Sequence, residues 1–147
     1  MFLRKKLQIG VVTAKFNSLI TSKLREGAIE LLMNKDILET QLSELSVPGS
    51  FELPLGAQFL FEKQEVDAVI CLGAVIQGET DHYDYVCSGV TQAIMQVQLQ
   101  YKKPVGFGVL TCQTMEQALN RVGGKCGHKG METAEAVLQM IEILKGN

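Results

Sequence analysis

Four strand-like runs, three of them largely apolar and one alternating, alternate along the chain with stretches in which apolar residues recur at helical spacing. Leu7–Thr13 (LQIGVVT) predicts a first strand, ended by the turn residues Ala14-Lys15-Phe16-Asn17-Ser18. Asn17 or Thr21 is suited to cap a helix through about Met33, with Leu24, Ala28, Leu31 and Leu32 as its apolar stripe. After a loop at Asn34–Glu39, the alternation in Gln41–Val47 predicts a second strand with one exposed face. Pro48-Gly49-Ser50 stops it, and a helix follows from about Glu52 to Lys63, with Pro54 in its first turn. Ala68–Ile76 is apolar throughout, broken only by Gly73, as expected of a strand buried on both faces. Val86, Val90, Ile94 and Val97 then mark a helix over about His82–Tyr101. Pro104 restarts the chain for a fourth strand, Val105–Thr111. Gln113–Val122 predicts a short helix, Gly123–Gly130 a glycine-rich turn, and Met131–Lys145 the last helix.

Strand–helix alternation repeated in this way predicts an α/β fold, with a four-stranded parallel sheet between two helical layers joined by right-handed crossovers. The expected architecture is a three-layer α/β/α sandwich, flavodoxin-like, formed by residues 1–147 as a single domain. A parallel sheet gathers its carboxyl-end loops on one edge, where open α/β sheets bind ligands. Four polar clusters fall there: Phe16-Asn17, Pro48–Glu52, Gly78–His82 and Thr111-Cys112-Gln113.

Composition narrows the function classes. The chain has 147 residues, 46% hydrophobic and 20% charged, enough apolar content to fold and to bury roughly two-thirds of its surface. A net charge of −2 with no basic face leaves no electrostatic footprint for nucleic acid. No run approaches the length of a membrane span, and the basic residues of Met1–Lys6 are not followed by the apolar region of a signal peptide. Four cysteines at 71, 87, 112 and 126 show no metal-ligand spacing, so no metal is expected; free thiols in a reducing compartment point to the cytoplasm.

Each cluster has an ordinary reading beside a functional one. Phe16 is either a buried staple before its helix or a flat stacking surface for a heterocycle. Pro48–Pro54 is either a strand stop and helix start, or a ring-binding turn with Glu52 accepting hydrogen bonds from ligand hydroxyls. Gly78-Glu79-Thr80 is an ordinary cap that can also hold an anion, since both uses draw on the same unpaired N–H groups. His82 is either a helix-terminus histidine or a proton carrier. Arg121, Lys125, His128 and Lys129 form the densest basic cluster, a solvated loop unless the glycines at 123, 124, 127 and 130 fold it toward one point. No phosphate-loop or dinucleotide fingerprint follows any strand.

Together the stretches KFNSLITSKLREGA (15–28), VPGSFELPLGA (47–57), DAVICLGAVIQGETDHYDYV (67–86), VGFGVLT (105–111) and EQALNRVGGKCGHKG (116–130) resemble the lumazine synthase family over nearly the whole chain. That resemblance implies condensation of 5-amino-6-(D-ribitylamino)uracil with 3,4-dihydroxy-2-butanone 4-phosphate to 6,7-dimethyl-8-ribityllumazine in riboflavin biosynthesis, with no cofactor. By the same resemblance Phe16 stacks on the pyrimidine, and Ser50, Phe51 and Glu52 hold the ring edge and ribityl chain. Ala74, Val75 and Ile76 supply backbone contacts, and Glu79 and Thr80 meet the phosphate. His82 moves protons. Phe107 comes from a neighbouring subunit, and Arg121 clamps the phosphate with Lys129 near it. The implied partners are the two small-molecule substrates, further copies of the chain as a homopentamer or a shell of twelve pentamers, and riboflavin synthase.

The chain departs from the family pattern at Gln77, where arginine is usual, at Cys112-Gln113, and in Gly-Gly-Lys-Cys-Gly-His-Lys-Gly, commonly Gly-Thr-Lys-Ala-Gly-Asn-Lys-Gly. The uninterrupted glycine turn favours the shell, whereas a short segment before strand one favours the pentamer. A non-catalytic binder of flavin or a phosphate ligand is the competing reading from another class. A flavodoxin-like carrier lacks its hydroxyl-rich loop here.

Overall fold

The computed structural model describes residues 6–78 and 82–146. Elements follow in the order β1 (Ile9–Ala14), α1 (Ser18–Asn34), β2 (Leu42–Val47), α2 (Leu53–Lys63), β3 (Ala68–Ile76), α3 (His82–Tyr101) and β4 (Val105–Cys112). After them come α4 (Met115–Leu119), a short hairpin of β5 (Val122–Gly124) and β6 (Gly127–His128), and α5 (Lys129–Leu144). The four long strands form one parallel sheet in the order β2-β1-β3-β4.

Side-chain alternation splits the apolar residues between two cores. Ile9 and Val11 of β1, with Ile70, Leu72 and Ala74 of β3, pack under α1 and α5. Val12 and Ala14, with Val69, Cys71 and Val75, pack under α2 and α3. β3 is therefore covered on both faces, which is why its sequence carries no polar alternation. β2 lies at the edge and is half exposed. These layers give the three-layer α/β/α architecture of flavodoxin-like proteins.

The expected elements are all present, with three local differences. Helix α4 is shorter than the predicted Gln113–Val122. Thr114 caps it by accepting from the Gln117 N–H at 3.1 Å, and Val122 instead pairs with His128 across the hairpin. Gly123 (φ 103°) and Gly127 (φ 82°) take left-handed conformations that a continuing helix excludes. Helix α5 begins at Lys129 rather than Met131, because His128 caps it. Neither Asn17 nor Thr21 caps α1 through its side chain: Asn17 occupies the cap position in a left-handed conformation (φ 63°), and its amide reaches elsewhere. Among the described residues, no helix is long and apolar enough to cross a membrane.

Candidate active site

The strand order reverses direction between β1 and β3, and this is where ligands bind in open α/β sheets. The β1–β3 ladder ends at Thr13 and Leu72, whereas β3 continues for four residues. Backbone groups alternate sides along a strand, and Val69 and Gln77 pair toward β4. Ala74 and Ile76 therefore turn their amide groups to the side that β1 has vacated. Asn17 takes part of this edge, its Nδ2 donating to the Ala74 carbonyl at 2.8 Å.

On the other side of the opening, the β1–β2 ladder is carried into the loops. Lys15 N–H donates to Val47 O at 2.8 Å and Phe16 N–H to Pro48 O at 3.0 Å. This places Phe16 over Pro48–Glu52. Ser50–Glu52 form a single 3₁₀ turn ahead of α2, which buries Ser50 against Gly73 of β3: a Cβ on Gly73 would lie 2.4 Å from the Ser50 Oγ. Glu52 is half-buried beside Gly49.

These loops enclose a cavity of about 680 Å³ lined by Phe16, Ser50, Phe51, Glu52, Ala74, Val75, Ile76 and His82, together with Asn17, Pro48, Gly49, Gly78, Tyr83, Tyr85 and Val86. Such a volume suits a small organic ligand. Phe16 and Phe51 are 72% and 61% exposed at the cavity, so Phe16 is not a buried staple. His82 opens α3 at the cavity wall and is exposed. Glu79 and Thr80 lie outside the described residues.

Phe107, Arg121 and Lys129 do not line this cavity. Phe107 is on the edge strand β4, beyond α3, where it lines a 400 Å³ hollow with Asp84, Cys87 and Thr111. Phe107 also borders a second hollow of 290 Å³, which it shares with Lys129, Gln98 and Glu132. Arg121 belongs to the hairpin, where its carbonyl accepts from the Lys129 N–H at 2.7 Å, and its charge reaches Cys112 at the end of β4. Within one chain the ring-sized cavity and this basic cluster are thus separate.

Tyr83 and Tyr85 were not singled out from the sequence. With only nine aromatic residues in the chain (six Phe, three Tyr, no Trp), two tyrosines just beyond a polar turn were the available signal. Tyr83 lies beside Cys87 on α3 and near Thr111 of β4, and burial pushes its phenol up. Burial also pushes the Cys87 and Cys112 thiols up; the charge of Arg121 works against that shift at Cys112. Among the described residues, no three His, Cys, Asp or Glu side chains are grouped to hold a metal ion.

Fold and site define a class: an α/β/α protein with an aromatic-rimmed, ring-sized cavity at the strand-order reversal of its parallel sheet. The family profile of 6,7-dimethyl-8-ribityllumazine synthase matches residues 6–145. A 6,7-dimethyl-8-ribityllumazine synthase of Pediococcus pentosaceus is 49% identical over 138 residues, covering 94% of this chain and 88% of that protein. The same-named protein of Cytophaga hutchinsonii is 52% identical over 132 residues, covering 90% and 83% respectively. The chain belongs to the 6,7-dimethyl-8-ribityllumazine synthase family.

Proposed function

We propose that the chain condenses 5-amino-6-(D-ribitylamino)uracil with 3,4-dihydroxy-2-butanone 4-phosphate to 6,7-dimethyl-8-ribityllumazine, releasing phosphate and water. The observation that carries this reading is the cavity between Phe16 and the uncovered edge of β3, within a chain about half identical to synthases of that name. The pyrimidine stacks on Phe16, with its polar edge against the backbone of Ala74, Val75 and Ile76. Ser50, Phe51 and Glu52 hold the ribityl chain. Glu79 and Thr80 meet the phosphate of the four-carbon substrate.

The substrate amine attacks the ketone, so the protein supplies no nucleophile. Imine formation places a proton on the departing oxygen, and elimination of phosphate takes one from carbon. An imidazole at the cavity wall, His82, serves both steps as the catalytic acid and base. Holding the two reactants together contributes most of the acceleration, where effective molarity is worth about 7–11 kcal/mol.

Phe107, Arg121 and Lys129 complete the site from a neighbouring copy, Arg121 as the fork on the phosphate. Phe51 in the 3₁₀ turn and Leu55 and Phe59 on α2 are all exposed, apolar residues that a further copy would cover. The assembly is a homopentamer, and the uninterrupted Gly123–Gly130 turn favours twelve such pentamers closing into a shell. The reaction runs in the cytoplasm and hands its product to riboflavin synthase. Mixing the protein with both substrates tests the reaction: lumazine fluorescence should appear at a rate proportional to enzyme. Tight pyrimidine binding without product would leave a non-catalytic binder instead.

A further inference from the structure

We propose that His128 is a positioning residue that holds the phosphate-side cations in place only while its imidazole is neutral. The inference rests on the reading of Arg121 and Lys129 given above. His128 Nδ1 accepts from the N–H of Gly130 at 3.1 Å and of Met131 at 3.3 Å, capping the first turn of α5. A backbone N–H can only donate, so this ring nitrogen carries no proton. The ring is also wedged in place: a Cβ on Gly27 of α1 would come within 2.1 Å of its Cε1. A Cβ on Gly130 would come within 2.1 Å of the Leu24 carbonyl oxygen, so α5 starts in direct contact with the backbone of α1. The next residue, Lys129, closes the hairpin onto the Arg121 carbonyl. One imidazole therefore sets the register of both cations.

A proton on Nδ1 would face two N–H groups and the positive end of α5, forfeiting both bonds. The charged residues around the ring are Arg121, Lys125 and Lys129 on the hairpin and its exit, and Glu132 on α5, whose carboxylate lies over Gly127. Lys23 and Glu30 stand one turn to either side of Gly27 on α1. Asparagine caps helices well and does not titrate.

The test compares the full-length enzyme with His128→Asn and His128→Ala. Between pH 8 and pH 5.5, KM for the phosphate-bearing substrate should rise roughly threefold or more in excess in the wild type, while His128→Asn lacks that excess. His128→Ala should show the raised KM throughout, with asparagine rescuing it. The protection of the Gly130 and Met131 amides, measured as exchange relative to the intrinsic rate at each pH, should fall on acidification in the wild type alone. Identical acid profiles in the wild type and His128→Asn would overturn the inference, as would nitrogen NMR showing Nδ1 protonated at pH 8. An unchanged KM in Arg121→Ala would instead remove the phosphate reading, and the exchange measurement would still decide the imidazole cap.

Discussion

Asn17 reaches from the end of β1 to the end of β3, its Nδ2 2.8 Å from the Ala74 carbonyl oxygen. The bond spans the point where strand order reverses, and joins the loop that carries Phe16 to the backbone edge that faces the cavity. It also explains why a non-glycine residue sits at φ 63°. Asparagine tolerates that conformation, and only from there does its amide cross to β3.

Asn17→Ala should destabilise the protein by about 2 kcal/mol, combining a lost hydrogen bond with an alanine forced into the left-handed region. Asn17→Gly removes the bond without the strain and should cost about half as much. Denaturant titration measures both. Because Phe16 loses its anchor in each, KM for the pyrimidine should rise roughly fivefold in both variants. Wild-type KM in Asn17→Gly would show that the bond serves stability alone.

Phe51 rests on α3 at Gly89, where a Cβ would lie 2.9 Å from the ring Cε1. Gly89→Ala should raise helix stability by up to about 1 kcal/mol, since the exposed ring can swing aside. The displaced ring should weaken pyrimidine binding. Thermal unfolding and substrate titration should therefore move in opposite directions; unchanged binding would place Phe51 outside the ring site.

His82→Ala should lower kcat by about 100- to 10,000-fold, the range of acid–base assistance, and leave turnover above background because both reactants are still held together. Arg121→Ala should act mainly on KM for the phosphate substrate. Steady-state kinetics with each substrate varied separates the two. Complete loss of turnover in His82→Ala with binding intact would reject that division.

Cys71 is buried in β3 between the two helical layers, and desolvation pushes its thiol up to about 12. The unfolded chain ionises this thiol first, so its contribution is complete below about pH 9 and is lost as pH rises toward 12. The full span amounts to about 4 kcal/mol. Denaturant titrations at pH 8 and pH 10.5 should show a steeper alkaline loss in the wild type than in Cys71→Ala, and equal slopes would mean the thiol is not desolvated.

Local residue patterns are enough to place the elements and the edge on which chemistry gathers. The short, β-branched apolar run of Ala68–Ile76, bounded by polar turns, reads as a strand covered on both faces, and Val86, Val90, Ile94 and Val97 as one face of a helix, because length, flanking residues and side-chain period are local properties. Parallel connection then placed Phe16, Glu52 and His82 at one rim. Strand order, however, is a matter of which faces find each other across the chain, and no local pattern encodes it. Only the tertiary structure put β1 beside β3, let β3 overrun its neighbour, and sent the Asn17 amide across the gap instead of onto its own helix. Likewise the glycines at 123 and 127 read as a turn. That Val122 would leave the helix to pair with His128, and that this histidine would cap α5 against Gly27, depended on a close approach of α1 and α5 that is settled by packing alone.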